Sequence, residues 1–113
     1  MLSLQVRLVN GTNSSSGRLE VNYNHMGWGT VCDDYWSIED ADVACKMLGQ
    51  NSAISAPRRA YFGEGNGTIW FDDFLCLGSE NTLLQCSHAG LGIHNCRHSE
   101  DASVVCSGKV LLL

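Results

Sequence analysis

From Leu4 the chain alternates. Leu4, Val6 and Leu8 are apolar while Gln5 and Arg7 are polar, the period of a half-buried β-strand. Residues 10–17 are only Asn, Gly, Thr and Ser and predict a turn. Arg18 to Tyr23 alternates again with Leu19, Val21 and Tyr23 inward, so the two runs predict a β-hairpin. After a second turn at Asn24 to Gly27, Trp28 to Cys32 predicts a third strand. The pattern then changes period. Ile38, Ala41, Ala44, Cys45 and Leu48 recur at helical spacing, with Ser37 as cap, Asp40 at the third helical position and Gly49 as the stop. Glu39 and Asp40 suit the positive end of that helix. Asn51 to Gly67 shows no period and predicts a long surface loop, and Ile69 to Phe71 is short and β-prone. Ser79 to Gln85 predicts a second, short helix, Ala89 to Ser99 a loop rich in Gly and His, and Ala102 to Cys106 a closing strand. The expected class is α+β, with a small sheet.

The chain has 113 residues, enough for one domain and not for two. Six cysteines in so short a sequence suit a disulfide framework in an oxidising compartment. Three sequons begin at Asn10, Asn13 and Asn66 and mark expected glycosylation sites. Together these place the domain outside cells, secreted or as part of a membrane protein's ectodomain. Met1 to Leu4 lacks the pattern of a secretory signal, and Val110 to Leu113 is far too short to span a bilayer. No direct membrane insertion is expected. The reading is a single domain over 4–107, with 1–3 and 108–113 as flanking residues of a larger, multidomain or multimeric protein.

The net charge is −5, with no basic stripe, which argues against nucleic acid as a specific partner. No cysteine pair has C-x-x-C spacing, so a zinc ribbon or thioredoxin-type motif lacks support, and His94, Cys96 and His98 suit a bridge among loop histidines better than zinc. Neither G-x-S-x-G nor H-E-x-x-H is present, and no enzyme activity is expected. Six cysteines allow 15 pairings, which spacing alone leaves open.

The segments GRLEVNYN, GWGTVCDDYW, DADVACKMLG, FGEGNGTIWFDDFLC, GSENTLLQCSH and HNCRHSEDASVVC follow one another between Gly17 and Cys106. In this order they resemble the scavenger receptor cysteine-rich domain, in its six-cysteine group A form found in class A macrophage scavenger receptors. The resemblance implies the pairing Cys32–Cys96, Cys45–Cys106 and Cys76–Cys86. It also implies a small, curved, mainly antiparallel sheet cradling one helix, and a non-catalytic ligand-binding role.

The carboxylates cluster by segment. Asp33-Asp34 follows Cys32, Asp72-Asp73 precedes Cys76, and Glu100-Asp101 follows Cys96. A Cys32–Cys96 bridge, if formed as the resemblance implies, draws the first pair toward the last and toward Asn95. Like charges so gathered raise one another's pKa or recruit a cation, and outside cells the natural one is Ca²⁺, which takes 6–8 oxygen ligands. By motif position the resemblance implies a first Ca²⁺ site at Asp33, Asp34 and Glu100 and a second at Asp72, Asp73 and Asn95. Asp101 either joins them or ties down backbone. The competing reading is that paired aspartates form turns or accept helix N–H groups. Trp28 and Trp36 are expected to pack the scaffold, with Asp33-Asp34 on an exposed bend between them. The expected function is capture of anionic, microbial or protein ligands through bound Ca²⁺, assisted by Arg58, Arg59 or Arg97. The alternative is an adhesion, structural or protease-associated module in which Ca²⁺ is absent or only stabilises.

Overall fold

A computed structural model describes residues 2–109. The expected alternation builds a hairpin: β1 (Leu4–Asn10) runs antiparallel to β2 (Ser16–Tyr23), from Leu4 opposite Tyr23 to Asn10 opposite Gly17. A Cβ at Gly17 would stand 2.7 Å from the Val9 backbone, so only glycine allows this close approach. The other edge of β2 serves two neighbours. Its residues 20–22 pair with β3 (Trp28–Val31), and its residues 16–18 pair with the last strand, Ser103–Cys106.

Two further short strands complete a six-stranded sheet. β4 (Ala53–Ser55) lies antiparallel to the last strand, β6, and β5 (Ile69–Phe71) lies parallel to β3. The sheet is therefore mixed, one parallel pairing among antiparallel ones. β4 falls inside the segment expected as loop. Its strand character comes from its partners: Ala53 N–H donates to Asp42 Oδ1 at 2.7 Å, and β6 supplies the ladder. Neither is adjacent in sequence, so no local pattern reveals it.

The helix α1 (Ile38–Met47) lies over the sheet, burying Ala41, Val43, Ala44 and Cys45 against Leu19, Val21, Val31, Trp36, Phe71, Phe74 and Val104. One expected inward position is wrong: Ile38 is 39% exposed, whereas Asp40 is fully buried. Asp40 earns its burial by accepting from Ser37 N–H, Ser37 Oγ–H and the distant Cys76 N–H. The helix ends as the sequence predicts. Gly49 sits at φ 70, its N–H bonds Lys46 O, and Gln50 N–H bonds Cys45 O, a Schellman arrangement.

The expected second helix over 79–85 is only a 3-10 turn at Leu83–Gln85. Glu80 does not extend a helix because its carboxylate turns back to accept from Leu77 and Gly78 N–H. The Cys76–Cys86 bridge, closing 10 residues, draws the two ends of the segment together. All three implied disulfides are present, with Cys32–Cys96 and Cys45–Cys106 closing separations of 64 and 61 residues. In chain-entropy terms each long bridge is worth about 4 kcal/mol and the short one about 3. Met1 and Val110 to Leu113 lie outside the described residues, so the expectation about the C-terminal tail does too. Among the described residues no helix is long and apolar enough to cross a membrane.

Candidate metal centre

The ends of two strands and one disulfide converge on a single cleft. The segment after β3 carries Asp33 and Asp34, the segment after β5 carries Asp72 and Asp73, and the Cys32–Cys96 bridge brings Asn95 and Glu100 alongside. All six line a single open cleft of about 880 Å³, together with Arg58 and Arg59. The structure thus brings together eight of the nine metal and ligand residues expected from the sequence. The ninth, Arg97, is exposed outside the cleft, and its backbone N–H donates to Glu100 Oε2 at 2.9 Å.

The grouping within the cleft differs from two separate sites. Carboxylate oxygens of Asp34, Asp72 and Asp73 lie within 4.8 Å of one another, and an oxygen of Asp34 lies within the same distance of one of Glu100. Asp34 is the shared member. Cys32 and Cys96 also border it, but their sulfurs are bonded to each other and offer no thiolate. Asp33 stands apart from these groups. It is 7% exposed rather than on an open bend, and its Oδ2 accepts from Arg59 N–H at 2.7 Å. Its role in this geometry is to fix the loop that presents the arginines.

Asp72 is the most perturbed carboxyl of the cleft. The residue is 2% exposed, and its Oδ1 accepts from Asp73 N–H at 2.8 Å. Its Oδ2 lies 3.4 Å from Cys96 Sγ, which has no proton to give, and faces the carboxylate of Asp34. Burial, then the charges of Asp34 and Asp73, push the Asp72 carboxyl up to about 6. Asp34 is also raised, first by burial and then by Glu100, Asp33 and Asp73. At these separations each carboxylate pair repels by about 1 kcal/mol in bulk water and about 3 kcal/mol near a protein surface. Among the described residues none of Asp34, Asp72, Asp73 and Glu100 forms a salt bridge with Lys or Arg.

The backbone around the cleft is strained. Tyr35, Arg59 and Asp73, all non-glycine, sit at φ 62, 55 and 60. Such outliers gather where a site dictates backbone geometry. Arg58 is engaged elsewhere, its guanidinium donating to Trp36 O at 2.9 Å through Nε, while the Arg59 side chain is exposed at the rim. Asp101 takes the structural role: fully buried, it accepts from Gly65 N–H at 2.7 Å and faces His98 Nδ1 at 3.0 Å. Trp36 is a core residue bonded to Ser103 O, but Trp28 lies half-exposed beneath the guanidinium of Arg7, 4.0 Å from its ring centre. Tyr35, Ala89, Ile93 and His94 also line the cleft and were not foreseen. Proximity to Asp34 and Asn95 hinted at Tyr35 and His94. For Ala89 and Ile93 no sequence signal existed, since Ala89 reaches the wall through a bond from its N–H to Asp72 O. Asn10, Asn13 and Asn66 are all exposed, at the end of β1, on the turn that follows it and in the loop before β5.

The family model of the scavenger receptor cysteine-rich (SRCR) domain matches residues 9–107. The chain belongs to this family. A scavenger receptor cysteine-rich domain superfamily protein of Patiria pectinifera is 51% identical over 107 residues, covering 95% of this chain and 9% of that protein. The chain therefore spans less than a tenth of that curated relative. The third SRCR domain of murine neurotrypsin superposes with a TM-score of 0.84 at 48% identity, over 92% of this chain and 96% of that one. The SRCR domain of mouse MARCO, in its dimeric form, gives 0.76 at 49% identity, over 90% and 94%. SRCR domains are extracellular, generally non-catalytic receptor modules, with which three disulfides agree.

Proposed function

We propose that this SRCR domain binds Ca²⁺ in the acidic cleft and uses the bound ion to hold ligands of its parent protein. Asp34 is the central ligand, shared between Asp72 and Asp73 on one side and Glu100 on the other, with Asn95 supplying a neutral oxygen. The observation that carries this reading is Asp72 Oδ2, an oxygen of a 2%-exposed residue that meets no donor. A hard cation supplies what it lacks, and also removes the repulsion among its neighbours.

A Ca²⁺ ion seldom has all 6–8 positions filled by one open cleft. The remaining positions face solvent, where an anionic group of a ligand completes the shell. Arg59, exposed on the rim, adds a second attraction. Ligands suited to this chemistry carry carboxylate, sulfate or phosphate groups, on microbial surfaces or on extracellular proteins. A single site of this kind is weak, and repetition along a multidomain parent raises avidity by about 10²–10⁴.

Surface-immobilised dextran sulfate tests the ligand step. Binding of the domain in millimolar Ca²⁺ is expected to disappear on adding EGTA and to fall several-fold in Arg59→Ala. Binding that ignores EGTA while the domain stays folded contradicts the metal-bridged mechanism and favours a structural or adhesive role.

A further inference from the structure

We propose that the oligosaccharide on Asn10 packs against the aromatic pair Tyr61–Phe62 and fastens the loop that carries the arginines of the cleft. Asn10 ends β1 in a left-handed conformation, φ 68, and opens the sequon Asn10-Gly11-Thr12. Its side chain is exposed, yet it does not point at random. Nδ2 donates to Phe62 O at 3.0 Å, across 52 residues of sequence. A Cβ built on Gly63 would stand 3.2 Å from the same nitrogen, so the amide lies flush on the loop.

One residue before the Phe62 carbonyl, Tyr61 is 71% exposed, more than the other Tyr, Phe and Trp residues among those described, and its ring meets Phe62 edge-on at 4.9 Å. The first sugar of an N-linked chain presents an apolar C–H face and an acetamide methyl. Both suit an aromatic face that would otherwise meet water. Asn13 lacks this setting, because it turns its Oδ1 back to accept from Ser15 N–H at 2.8 Å.

The glycan donor is an oligosaccharide on a polyprenyl pyrophosphate. The anomeric carbon bonds to Nδ2 as its C–O bond to the pyrophosphate breaks, and the pyrophosphate leaves with the electron pair. Nδ2 gives up one proton, which balances the charge of the departing pyrophosphate, and keeps the other, which suffices for the bond to Phe62 O. The loop held in this way is already clipped by Arg59 N–H to Asp33, Ala60 N–H to Asp101 O, Arg18 Nη1–H to Gly63 O, and Gly65 N–H to the Asp101 carboxylate. The sugar adds a clamp over Tyr61 and Phe62, between the second and third of these.

The test uses the chain secreted from eukaryotic cells, with site occupancy by mass spectrometry, the N-acetyl methyl resonances by NMR, and amide hydrogen exchange. Occupancy of Asn10 is expected, with its methyl resonance shifted upfield by ring current and returned to the position of an exposed sugar in Tyr61→Ala. Exchange of residues 60–64 is expected to quicken several-fold in Thr12→Ala, which removes the sequon, and to recover in Thr12→Ser, which restores it. An unmodified Asn10, a methyl resonance unmoved by Tyr61→Ala, or exchange indifferent to the glycan overturns the proposal. None of these readouts involves calcium, so their failure leaves the reading of the cleft untouched.

Discussion

Asp72 carries the carboxyl whose surroundings move it furthest from its ordinary range among the described residues. Its carboxyl titrates near 6 in the fold, against 3.8 for a free side chain. Between those values the folded chain holds a proton that the unfolded chain has released. The stability this group contributes is therefore complete below about pH 4 and lost as the pH rises through about 6. Asp72→Asn cannot titrate there. In EGTA, the melting temperature of the natural chain is expected to fall relative to Asp72→Asn as the pH is raised from about 4 to 7. Saturating Ca²⁺ is expected to reverse that difference at pH 7, where the variant has lost a ligand. Parallel melting curves across pH, with and without metal, would remove Asp72 from the account. At this scale the sequence was a good guide to which carboxylates gather in one cleft, because Asp34 and Glu100 follow the two cysteines of the Cys32–Cys96 bridge. It was a poor guide to burial: Asp33 and Asp40 look like solvated turn and cap residues until Arg59 N–H and Cys76 N–H, both distant in sequence, appear as their donors.

Among the elements, α1 does more than cover the sheet. Its buried Asp40 ties the helix start to Cys76, and so to the segment that leaves the cleft at Asp73. Asp40→Ala leaves a buried N–H unpaired and removes the cap, at a cost of about 2–4 kcal/mol. Urea denaturation is expected to show that loss while Ca²⁺ affinity changes little in the folded fraction, since Asp40 lies outside the cleft. An unchanged midpoint would mean that water replaces the carboxylate without penalty. Elements whose signal is local were legible: the hairpin from its period of two, the helix from its period of 3.6 with Ser37 and Gly49 as ends. β4 and the 3-10 turn at Leu83–Gln85 were not. The first exists because β6 pairs with it, and the second is limited by the Cys76–Cys86 bridge and by Glu80 turning back on Leu77 and Gly78.

For the whole molecule, the Cys32–Cys96 bridge both stabilises the fold and builds the site. It closes 64 residues and joins the loop of Asp34 to that of Glu100. The double variant Cys32→Ser/Cys96→Ser is expected to lose about 4 kcal/mol of stability. Its Ca²⁺ affinity is expected to drop at least ten-fold at temperatures where circular dichroism still shows native structure. Affinity retained in that variant would mean that the segments after β3 and β5 suffice alone. The pairing of the six cysteines came from family resemblance and not from their spacing, which is why the site was visible in outline but not in its division around Asp34.

The central claim is that the cleft holds Ca²⁺ with Asp34 at its centre, and calorimetric titration of metal-stripped protein tests it most directly. The account predicts saturable binding with a dissociation constant of about 10⁻⁴–10⁻³ M, in the range of extracellular modules, and its loss in an Asp34→Ala variant that circular dichroism shows to be folded. Absence of heat up to several millimolar Ca²⁺, or binding that survives in folded Asp34→Ala, would contradict it.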